Sequence, residues 1–297
     1  MKIAVTGANS SVGKNLLVRL CREQDMTVIA GVRSERAISD LPKHSSIKPV
    51  IIDYNDDSSL KEALQGTDFV IHLAGILIET KHSNYASANV GATAAVVEAA
   101  MESGTKNLIF ISVVGADPES KNAYFRSKGA AETLIIDSGL GSSILRTPIL
   151  FGPSAAGSQA VIGMVSSGQA KLLGGGHYQM RPLDIDDLSE ALVKLCLNPK
   201  EGQSTYELVG PESASYRDII TKTAEVMDKT VTFGSIPIFV AKIGAAVTSI
   251  LKVGGITPTV IEVITQDEVV KTNADSAIGI TLTPLRETLK KMTTPGE

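Results

Sequence analysis

The stretch Met1-Lys-Ile-Ala-Val-Thr-Gly-Ala-Asn-Ser-Ser-Val-Gly13 decides the fold. Residues 3–5 form a short apolar strand, and Gly7 permits a tight turn after it. Apolar side chains then repeat at helical spacing, and Gly13 lets this helix lie close against the strand. Unpaired N–H groups at the helix start suit a pyrophosphate, and Ser10, in the middle glycine position, can reach a phosphate with its hydroxyl. The alternative is an ordinary strand–helix turn without a ligand.

Strand-like apolar runs alternate with helical patterns along the first part of the chain. The runs are rich in Val and Ile, which is typical of parallel strands covered on both faces. This predicts a doubly wound α/β fold, the Rossmann fold, with a ligand crevice at the carboxyl ends of its strands. The predicted strands are 27–32, 47–52, 69–73, 107–113 and 142–145, and the predicted helices are 12–21, 58–64, 86–102, 122–136 and 186–197.

The pattern loosens beyond residue 150, where glycine and proline punctuate the chain. We expect residues 1–150 to form the Rossmann domain and to receive a further strand and helix from about 181–208. The remaining segments, 151–180 and 209–297, are expected to form a small C-terminal substrate lobe over the crevice.

Composition limits the class of partner and the compartment. The chain has 297 residues, 43% of them hydrophobic, which suffices for a full α/β core. A net charge of −4 argues against a nucleic-acid partner, because no basic face would meet the phosphates. Cys21 and Cys196 are too few and too far apart for a disulfide framework. With no signal peptide before the first strand, the chain is expected to be cytoplasmic. No metal site is expected.

The segment 236–255 is strongly apolar but makes a poor membrane span. Lys242 and Lys252 interrupt it, as do a proline and several glycines. We expect a buried helix that packs within the lobe. The alternative is a surface that touches a membrane or a partner protein, which would allow peripheral membrane association.

Tyr124 and Lys128 lie four residues apart in a predicted helix and therefore share one face. A lysine in this position can hold a ribose hydroxyl and lower the pKa of the neighbouring phenol through its charge. A phenol tuned in this way can donate or accept a proton near neutral pH. The spacing alone arises by chance in many helices, and it gains weight from the nucleotide-binding start of the chain.

The end of the second strand, Ala30-Gly-Val-Arg-Ser34, bears on the choice of cofactor. Sites that prefer NAD carry an acid about 20 residues past the glycine turn, where it binds the ribose hydroxyls. No acid is present here, and Arg33 offers a rigid fork of donors to a 2′-phosphate. The sequence therefore predicts NADP(H) rather than NAD(H). The alternative is that Arg33 is a solvated loop charge.

Two further strand ends fit a nucleotide site. Asp53 ends the third strand, where a carboxylate can accept the adenine amino group. Ala74 and Gly75 follow the fourth strand and are small enough for the nucleotide to pass. His72, at the end of the same strand, is interpreted as a structural residue rather than a catalyst.

A series of motifs through about two-thirds of the chain resembles the extended or atypical short-chain dehydrogenase/reductase superfamily, to which NAD-dependent epimerases and dehydratases belong. The segment 111–128 is similar to the branch that includes the accessory NADPH-binding subunit of respiratory complex I and its bacterial relatives. The motifs are Thr6-Gly-Ala-x-x-x-x-Gly13, His72-Leu-Ala-Gly75, Asn89-Val-Gly-Ala-Thr93, Tyr124-x-x-x-Lys128, Arg146-Thr-Pro-Ile-Leu-Phe-Gly-Pro153 and Arg181-Pro-Leu-Asp-Ile-Asp-Asp187.

The resemblance implies a role for individual residues. Tyr124 would be the acid/base, Lys128 would hold the nicotinamide ribose, and Asn89 would support the helices of the site. Catalysing members also use a Ser or Thr at the end of the fifth strand; Ser112 is the candidate, but the slot itself falls on Val113, which cannot donate a hydrogen bond. The residues implied to hold the cofactor are Gly7, Asn9, Ser10, Ser11, Val12, Gly13, Arg33, Asp53, Tyr54, Leu73, Ala74, Gly75, Lys128, Pro148 and Ile149.

Three functions fit these patterns. The first is an NADP-dependent oxidoreductase that acts on a small carbonyl or alcohol substrate, with Tyr124 moving the proton. The second is a non-catalytic NADPH-binding protein that stabilises or senses an electron-transport complex, which Val113 and the apolar segment 236–255 favour. The third is a nucleotide-sugar epimerase or dehydratase. This class needs a lobe that binds a diphosphate with basic residues, and the basic residues between 151 and 235 are scattered, so it has little support.

A homodimer is a further expectation from the resemblance. Dimer contacts through the two helices that correspond to 86–102 and 122–136 are common in the superfamily.

Overall fold

Strands and helices alternate along the chain in the computed structural model, which describes residues 1–250 and 256–294. The strands are β1 (Lys2–Thr6), β2 (Thr27–Val32), β3 (Ile47–Ile51), β4 (Phe69–His72), β5 (Asn107–Val113), β6 (Gly141–Thr147), β7 (Leu150–Phe151), β8 (Gln169–Leu173), β9 (Gln179–Met180), β10 (Leu183–Asp184), β11 (Gln203–Glu207), β12 (Ala214–Ser215) and β13 (Thr232–Ile236). The α-helices are α1 (Ser11–Leu20), α2 (Glu35–Ile38), α3 (Asp57–Leu64), α4 (Ala92–Glu102), α5 (Ala123–Asp137), α6 (Ala156–Ser167), α7 (Ile185–Leu197), α8 (Tyr216–Val226), α9 (Ile238–Ile250), α10 (Pro258–Ile264), α11 (Asp275–Ile278) and α12 (Leu285–Thr293).

A seven-stranded sheet in the order β11-β6-β5-β4-β1-β2-β3 forms the centre of the fold, and all its neighbours pair in parallel. Successive side chains of β1 enter opposite faces: Ile3 and Val5 pack in one core and Ala4 in the other. The first core is covered by α1 and α7, and the second by α3, α4 and α5. Both faces are therefore buried, and the predicted doubly wound parallel sheet is confirmed.

The chain beyond residue 150 divides its contacts between the sheet and a smaller layer. Helix α7 packs on α1, and β11 extends the sheet by pairing with β6. A third core joins α6, α8 and α12 around Phe151. Ala274 and Ile280, however, return to the sheet core, and the Thr283 amide and hydroxyl both donate to the Asp187 carboxylate at 2.7 Å. The division into two domains stays a prediction.

The helix predicted over 86–102 is not uniform. Its first part, Ala86–Gly91, is a π-helix, and only Ala92–Glu102 is α-helical. A π-turn holds one more residue than an α-turn and shifts the side chains that follow. The turn contains Asn89, which is 1% exposed and binds the backbone of the preceding loop. The predicted helix is confirmed over 86–102, although apolar periodicity does not report the local widening that makes its first part a π-helix.

The apolar segment 236–255 contains α9, and residues 251–255 of it lie outside the described chain. Helix α9 packs on α10, yet Phe239 is 67% exposed and Ile243 is 63% exposed. This face of α9 is therefore exposed rather than buried, while the contact with α10 agrees with a helix that packs within the lobe. In the described ranges, no helix combines the length and apolar character that crossing a membrane requires.

Hydrogen bonds connect this helix pair to α5. Lys242 Nζ lies 2.7 Å from Glu262 Oε1, and Asn122 Nδ2 donates to Glu262 Oε2 at 3.1 Å. Helix α10 therefore covers the beginning of α5. Met101 and Ile136, near the ends of α4 and α5, are 54% and 45% exposed. A dimer contact through these two helices stays a prediction.

Gly13 allows the close approach between α1 and the turn that precedes it. A Cβ built on Gly13 would lie 2.4 Å from the Ala8 carbonyl oxygen, which real contacts do not permit. We expect Gly13→Ala to lower the free energy of unfolding by about 2 kcal/mol, since overpacking typically costs 1–3 kcal/mol. Gly163, an exposed glycine of α6 where an added Cβ would meet no neighbouring atom within 4 Å, is the control. Gly163→Ala should instead gain up to about 1 kcal/mol from helix propensity. Urea unfolding measures the free energy of unfolding of both variants. Equal stability of the two variants would contradict the close approach of Gly13 to the Ala8 carbonyl.

Candidate functional site

A large cavity lies at the carboxyl ends of β1, β2, β3 and β4 and has a volume of about 670 Å³. Pockets for small molecules and cofactors typically measure about 300–1,000 Å³. Nine of the residues predicted to hold a cofactor line this larger cavity: Gly7, Asn9, Ser10, Arg33, Asp53, Tyr54, Leu73, Ala74 and Gly75. The sequence motifs missed several other lining residues, among them Asn55, Ile76, His82, Ser83 and Ser87. None of the sequence motifs covers these five residues, so no signal in the sequence indicated them.

The first turn of α1 borders the larger cavity. Gly7 has φ of +74°, a left-handed conformation that glycine adopts without strain, and it turns the chain from β1. Ser10 caps the helix, since its Oγ accepts a hydrogen bond from the Gly13 amide at 3.0 Å. The amides of Ser11 and Val12 precede the intrahelical ladder, and no acidic residue stands in this turn. The turn is therefore suited to an anion.

Arg33 and Tyr54 follow β2 and β3, and both line the larger cavity. The positive charge of Arg33 acts on Tyr54, although burial is the larger effect and raises the pKa of the phenol. Asp53 Oδ1 accepts hydrogen bonds from the amide and the side chain of Asn55 at 2.9 and 3.1 Å. The carboxylate of Asp53 is thus turned toward Asn55 within its own loop, while the exposed Arg33 is free to meet a ligand.

His72 connects Thr6 of β1 with Thr93 of α4 through side-chain hydrogen bonds. The Thr93 hydroxyl donates to the Asn89 carbonyl at 2.7 Å, so its oxygen accepts from His72 Nε2 at 3.2 Å. Nδ1 is then the acceptor for the Thr6 hydroxyl at 2.6 Å. Burial, and secondarily the charge of Lys128, lowers the pKa of His72 to about 3, so the ring is neutral. Both ring nitrogens are satisfied, which supports the structural interpretation of this histidine.

Lys128 is 6% exposed, and its Nζ lies close to Gly75 in the wall of the larger cavity. Its Nζ donates to the Ile111 carbonyl at 2.7 Å and lies 4.1 Å from the centre of the Phe110 ring. Burial lowers the pKa of Lys128 to about 7, and the charge of Glu132 partly opposes this. A Cβ built on Gly75 would be in ordinary van der Waals contact with Nζ at 3.8 Å and in tight contact with Asn89 Oδ1 at 3.2 Å.

Asn89 joins the loop after β4 to α5. Its Oδ1 accepts from the Ile76 amide at 2.7 Å, and its Nδ2 donates to the Ile76 carbonyl at 3.1 Å and to Ser127 Oγ at 2.9 Å. Ser127 in turn donates to the Tyr124 carbonyl at 2.7 Å. All these groups are satisfied, so the loop and the helix that carries Tyr124 are held at a fixed separation.

A smaller cavity of about 160 Å³ lies beside the larger one, next to the ends of β5 and β6. Three residues predicted for the site meet here, namely Tyr124, Pro148 and Ile149. Most of the wall is apolar, and part of it comes from α10 and the residues after it. The full lining is Leu77, Val113, Val114, Tyr124, Phe125, Pro148, Ile149, Met180, Val263, Ile264, Gln266, Asp267 and Glu268.

Tyr124 opens α5 at the wall of the smaller cavity. The Asn122 side chain caps the helix by accepting from the Tyr124 and Phe125 amides. Burial, followed by the neighbouring Tyr85, raises the pKa of the Tyr124 phenol above its ordinary value. The expectation that Lys128 lowers this pKa was wrong for the protein without a ligand: the lysine donates to a backbone carbonyl, and desolvation of the phenol dominates.

Ser112 does not reach the smaller cavity. It is 3% exposed, and its enclosed Oγ finds no hydrogen-bond partner among the described residues. Val113, whose side chain points to the opposite face of β5 from Ser112, lines the cavity instead, together with Val114 just after the strand. A catalytic role for Ser112 stays a prediction that its position does not favour.

Two carboxylates that sequence analysis did not single out stand in the wall of the smaller cavity. Glu268 Oε2 accepts from the Arg181 amide at 2.6 Å, and Oε1 accepts from the Ile149 amide at 3.4 Å. Asp267 Oδ1 accepts from the Gln179 amide at 2.7 Å. Burial raises the pKa of Glu268, while the hydrogen bonds from the Arg181 and Ile149 amides and the charge of Arg181 oppose the change. Elsewhere in the described residues, no group of three or more His, Cys, Asp or Glu could hold a metal ion.

The buried lysine makes stability depend on pH. Between a folded pKa of about 7 and the ordinary lysine value, the unfolded chain binds a proton that the folded chain has lost. Stability therefore rises with pH across this window. We expect wild type to gain about 2 kcal/mol relative to Lys128→Met as the pH rises from about 6 to about 9. Urea unfolding without cofactor measures the difference, with the exposed Lys61→Met as control. If the free energy of unfolding changed with pH in the same way in wild type and in Lys128→Met, the lowered pKa of the buried lysine would be contradicted.

Comparison with known proteins identifies relatives of two kinds. A protein of Arabidopsis thaliana named NADH dehydrogenase (ubiquinone) 1 alpha subcomplex subunit 9, mitochondrial, is 24% identical over 252 residues, 82% of this chain and 62% of that protein. The chain thus spans less than two thirds of that relative's length. Ceramide reductase of Caulobacter vibrioides is 21% identical over 76% of this chain and 70% of its own. The first relative confirms the predicted resemblance to the branch of the respiratory subunit.

Solved structures confirm the fold. UDP-glucuronic acid 4-epimerase from Bacillus cereus, in complex with NAD, superposes with a TM-score of 0.78 at 20% identity, covering 98% of this chain and 97% of its own. The family described as NAD(P)H-binding matches residues 7–171, more than half of the chain. This range contains the glycine turn, the larger cavity and the Tyr124–Lys128 pair. The chain therefore belongs to the NAD(P)H-binding family, with a Rossmann-type parallel sheet at its centre.

Proposed function

We propose that this protein is an NADP(H)-dependent oxidoreductase that interconverts a small carbonyl compound and its alcohol. The observation that carries the proposal is the position of Tyr124. Its phenol lines a small apolar cavity, and Lys128, one turn further along α5, faces Gly75 in the wall of the larger cavity. A proton donor and a cofactor site at the two ends of one helical turn are the arrangement that carbonyl reduction requires.

The larger cavity suits a dinucleotide. Its glycine turn and the first amides of α1 suit the pyrophosphate, with Ser10 able to donate its hydroxyl to a phosphate oxygen. Lys128 is assigned to the nicotinamide ribose, and Pro148 with Ile149 to the nicotinamide face. Gly75 supports this path, since a side chain there would meet Asn89 Oδ1 at 3.2 Å and close the passage toward Lys128.

The chain's own chemistry in the proposed reaction is proton transfer. The bound reduced nicotinamide supplies a hydride to the carbonyl carbon. Tyr124 holds the proton that the carbonyl oxygen takes up, and its raised pKa keeps the phenol protonated at neutral pH. The apolar wall excludes water, which strengthens the hydrogen bond from the phenol to the substrate oxygen.

A second function rests on a different observation. Phe239 and Ile243 present an exposed apolar face on α9, and Val113 stands where catalysing members carry a hydroxyl. An NADPH-binding protein that stabilises an electron-transport complex would use such a face for a partner. The relative named as a subunit of NADH dehydrogenase supports this alternative. The two functions differ in cofactor release, which is fast for a cofactor that cycles and slow for a structural ligand.

Arg33 is proposed to select the phosphorylated cofactor. We expect Arg33→Gln to weaken NADPH binding about ten- to a hundredfold, as loss of a charge-assisted hydrogen bond typically does, and to leave NADH binding unchanged. Arg36→Gln, an exposed arginine in α2 outside the cavity, is the matched control. Titration followed by nicotinamide fluorescence measures both nucleotides. Equal affinity of the wild type for NADH and NADPH would refute NADP(H) selection.

Tyr124 is proposed as the acid/base. We expect Tyr124→Phe to lower kcat at least about a hundredfold, the usual contribution of general acid catalysis, while the Kd for NADPH stays the same. Tyr206→Phe is the control, because this buried hydroxyl has no hydrogen-bond partner among the described residues and lies on β11. Turnover is followed as NADPH oxidation with a ketone substrate. Unchanged kcat in Tyr124→Phe would exclude the proposed mechanism.

A further inference from the structure

The smaller cavity limits the kind of substrate that can reach Tyr124. Its volume is about 160 Å³, close to the roughly 150 Å³ of an apolar cavity that accommodates benzene. The reacting part of a substrate must therefore be compact, no larger than one ring, because the nicotinamide assigned to Pro148 and Ile149 would lie against the same wall. Val114, Met180 and Ile264 are among the apolar side chains of the wall, so this part of the substrate is apolar apart from its carbonyl group.

The charged groups of the wall are all negative. Asp267 and Glu268 line the cavity, and no lysine, arginine or histidine lines it among the described residues. Backbone amides hold both carboxylates in place, with Gln179 and Arg181 as donors at 2.7 and 2.6 Å. They cannot swing away to admit an anion without leaving these amides unpaired.

Arg181, whose charge acts on Glu268, does not offset the negative charge of the two carboxylates for a ligand. Arg181 does not line the cavity, and its Nε donates to the Gly210 carbonyl at 3.0 Å. Its charge acts on Glu268, as the opposing effect on the pKa of that carboxyl indicates. A phosphate or carboxylate in the cavity would therefore meet fixed negative charge and, among the residues that the structure describes, no free cation on the wall.

We infer that the smaller cavity takes a neutral, compact, apolar ketone or aldehyde and rejects anionic substrates, including nucleoside-diphosphate sugars. This rests on the proposed function, in which Tyr124 acts on a carbonyl group. It adds the substrate class: the apolar wall selects the ligand, and the Asp267–Glu268 pair discriminates against negative charge.

Binding of a matched pair of ketones tests the inference without requiring turnover. The full chain is saturated with NADPH and titrated with acetophenone or with its anionic counterpart 4-acetylbenzoate, with UDP-glucose as a third ligand, by calorimetry. We expect acetophenone to bind and 4-acetylbenzoate to bind at least about tenfold more weakly. Equal or tighter binding of 4-acetylbenzoate or UDP-glucose, or no binding of acetophenone, would overturn the inference.

Variants of the wall connect the binding to this cavity. Val114→Asp adds a carboxylate to the apolar wall and should weaken acetophenone binding about tenfold or more; Val18→Asp, at a 45% exposed position of α1, should leave it unchanged. The double variant Asp267→Asn, Glu268→Gln should reduce the difference in binding affinity between acetophenone and 4-acetylbenzoate. Circular dichroism melting checks that each variant is folded, and an unchanged ratio in a folded double variant would overturn the role of the two carboxylates.

NADPH oxidation in the same mixtures separates the two proposals. Selective binding of acetophenone without oxidation would count against the reductase and leave the substrate class of the cavity standing. Oxidation with anionic substrates alone would overturn the substrate class and leave the reductase standing.

Discussion

All seven strands of the central sheet run in the same direction, and this constraint brings the functional residues together. Parallel pairing from β1 to β2 and β4 places the ends of these strands at one edge, in register from Thr6 to Gly31 and His72. Residues as distant in the chain as Gly7, Arg33 and Gly75 therefore line one cavity. The N-terminus of α1 opens at the same edge, so the partial positive charge of the helix adds to the site.

The second constraint is the burial of the Lys128 ammonium. Desolvation makes the charged lysine costly in the folded protein, and the hydrogen bond to Ile111 with the ring of Phe110 offsets only part of this cost. Glu132, one turn further along α5, helps to keep the lysine protonated and is itself held by two hydrogen-bonding nitrogens of Arg146. A ribose hydroxyl would give the ammonium another acceptor. The buried ammonium of Lys128 thus lowers the stability of the folded protein at the position where it would bind the cofactor.

The smaller cavity depends on the C-terminal part of the chain, which folds back over the sheet edge. Helix α10 binds Asn122, the N-cap of the helix that carries Tyr124, and the residues after α10 bind the backbone at Gln179 and Arg181. One segment therefore both fixes the start of α5 and supplies charge to the cavity wall. Its position also links the exposed apolar helix α9 to the site, through Lys242 and Glu262.

Local sequence determined the parallel sheet, the glycine turn and most of the larger cavity, because strand periodicity and glycine positions act over short distances. It also identified the helix that carries Tyr124 and Lys128. Tertiary structure decided the features that depend on burial and on distant contacts. The pKa of Tyr124 rises because its surroundings desolvate the phenol, the π-turn forms where Asn89 binds Ile76, and α9 leaves Phe239 exposed. Asp267 and Glu268 reach the wall from more than 130 residues beyond Lys128, and no local pattern encodes a contact at that separation.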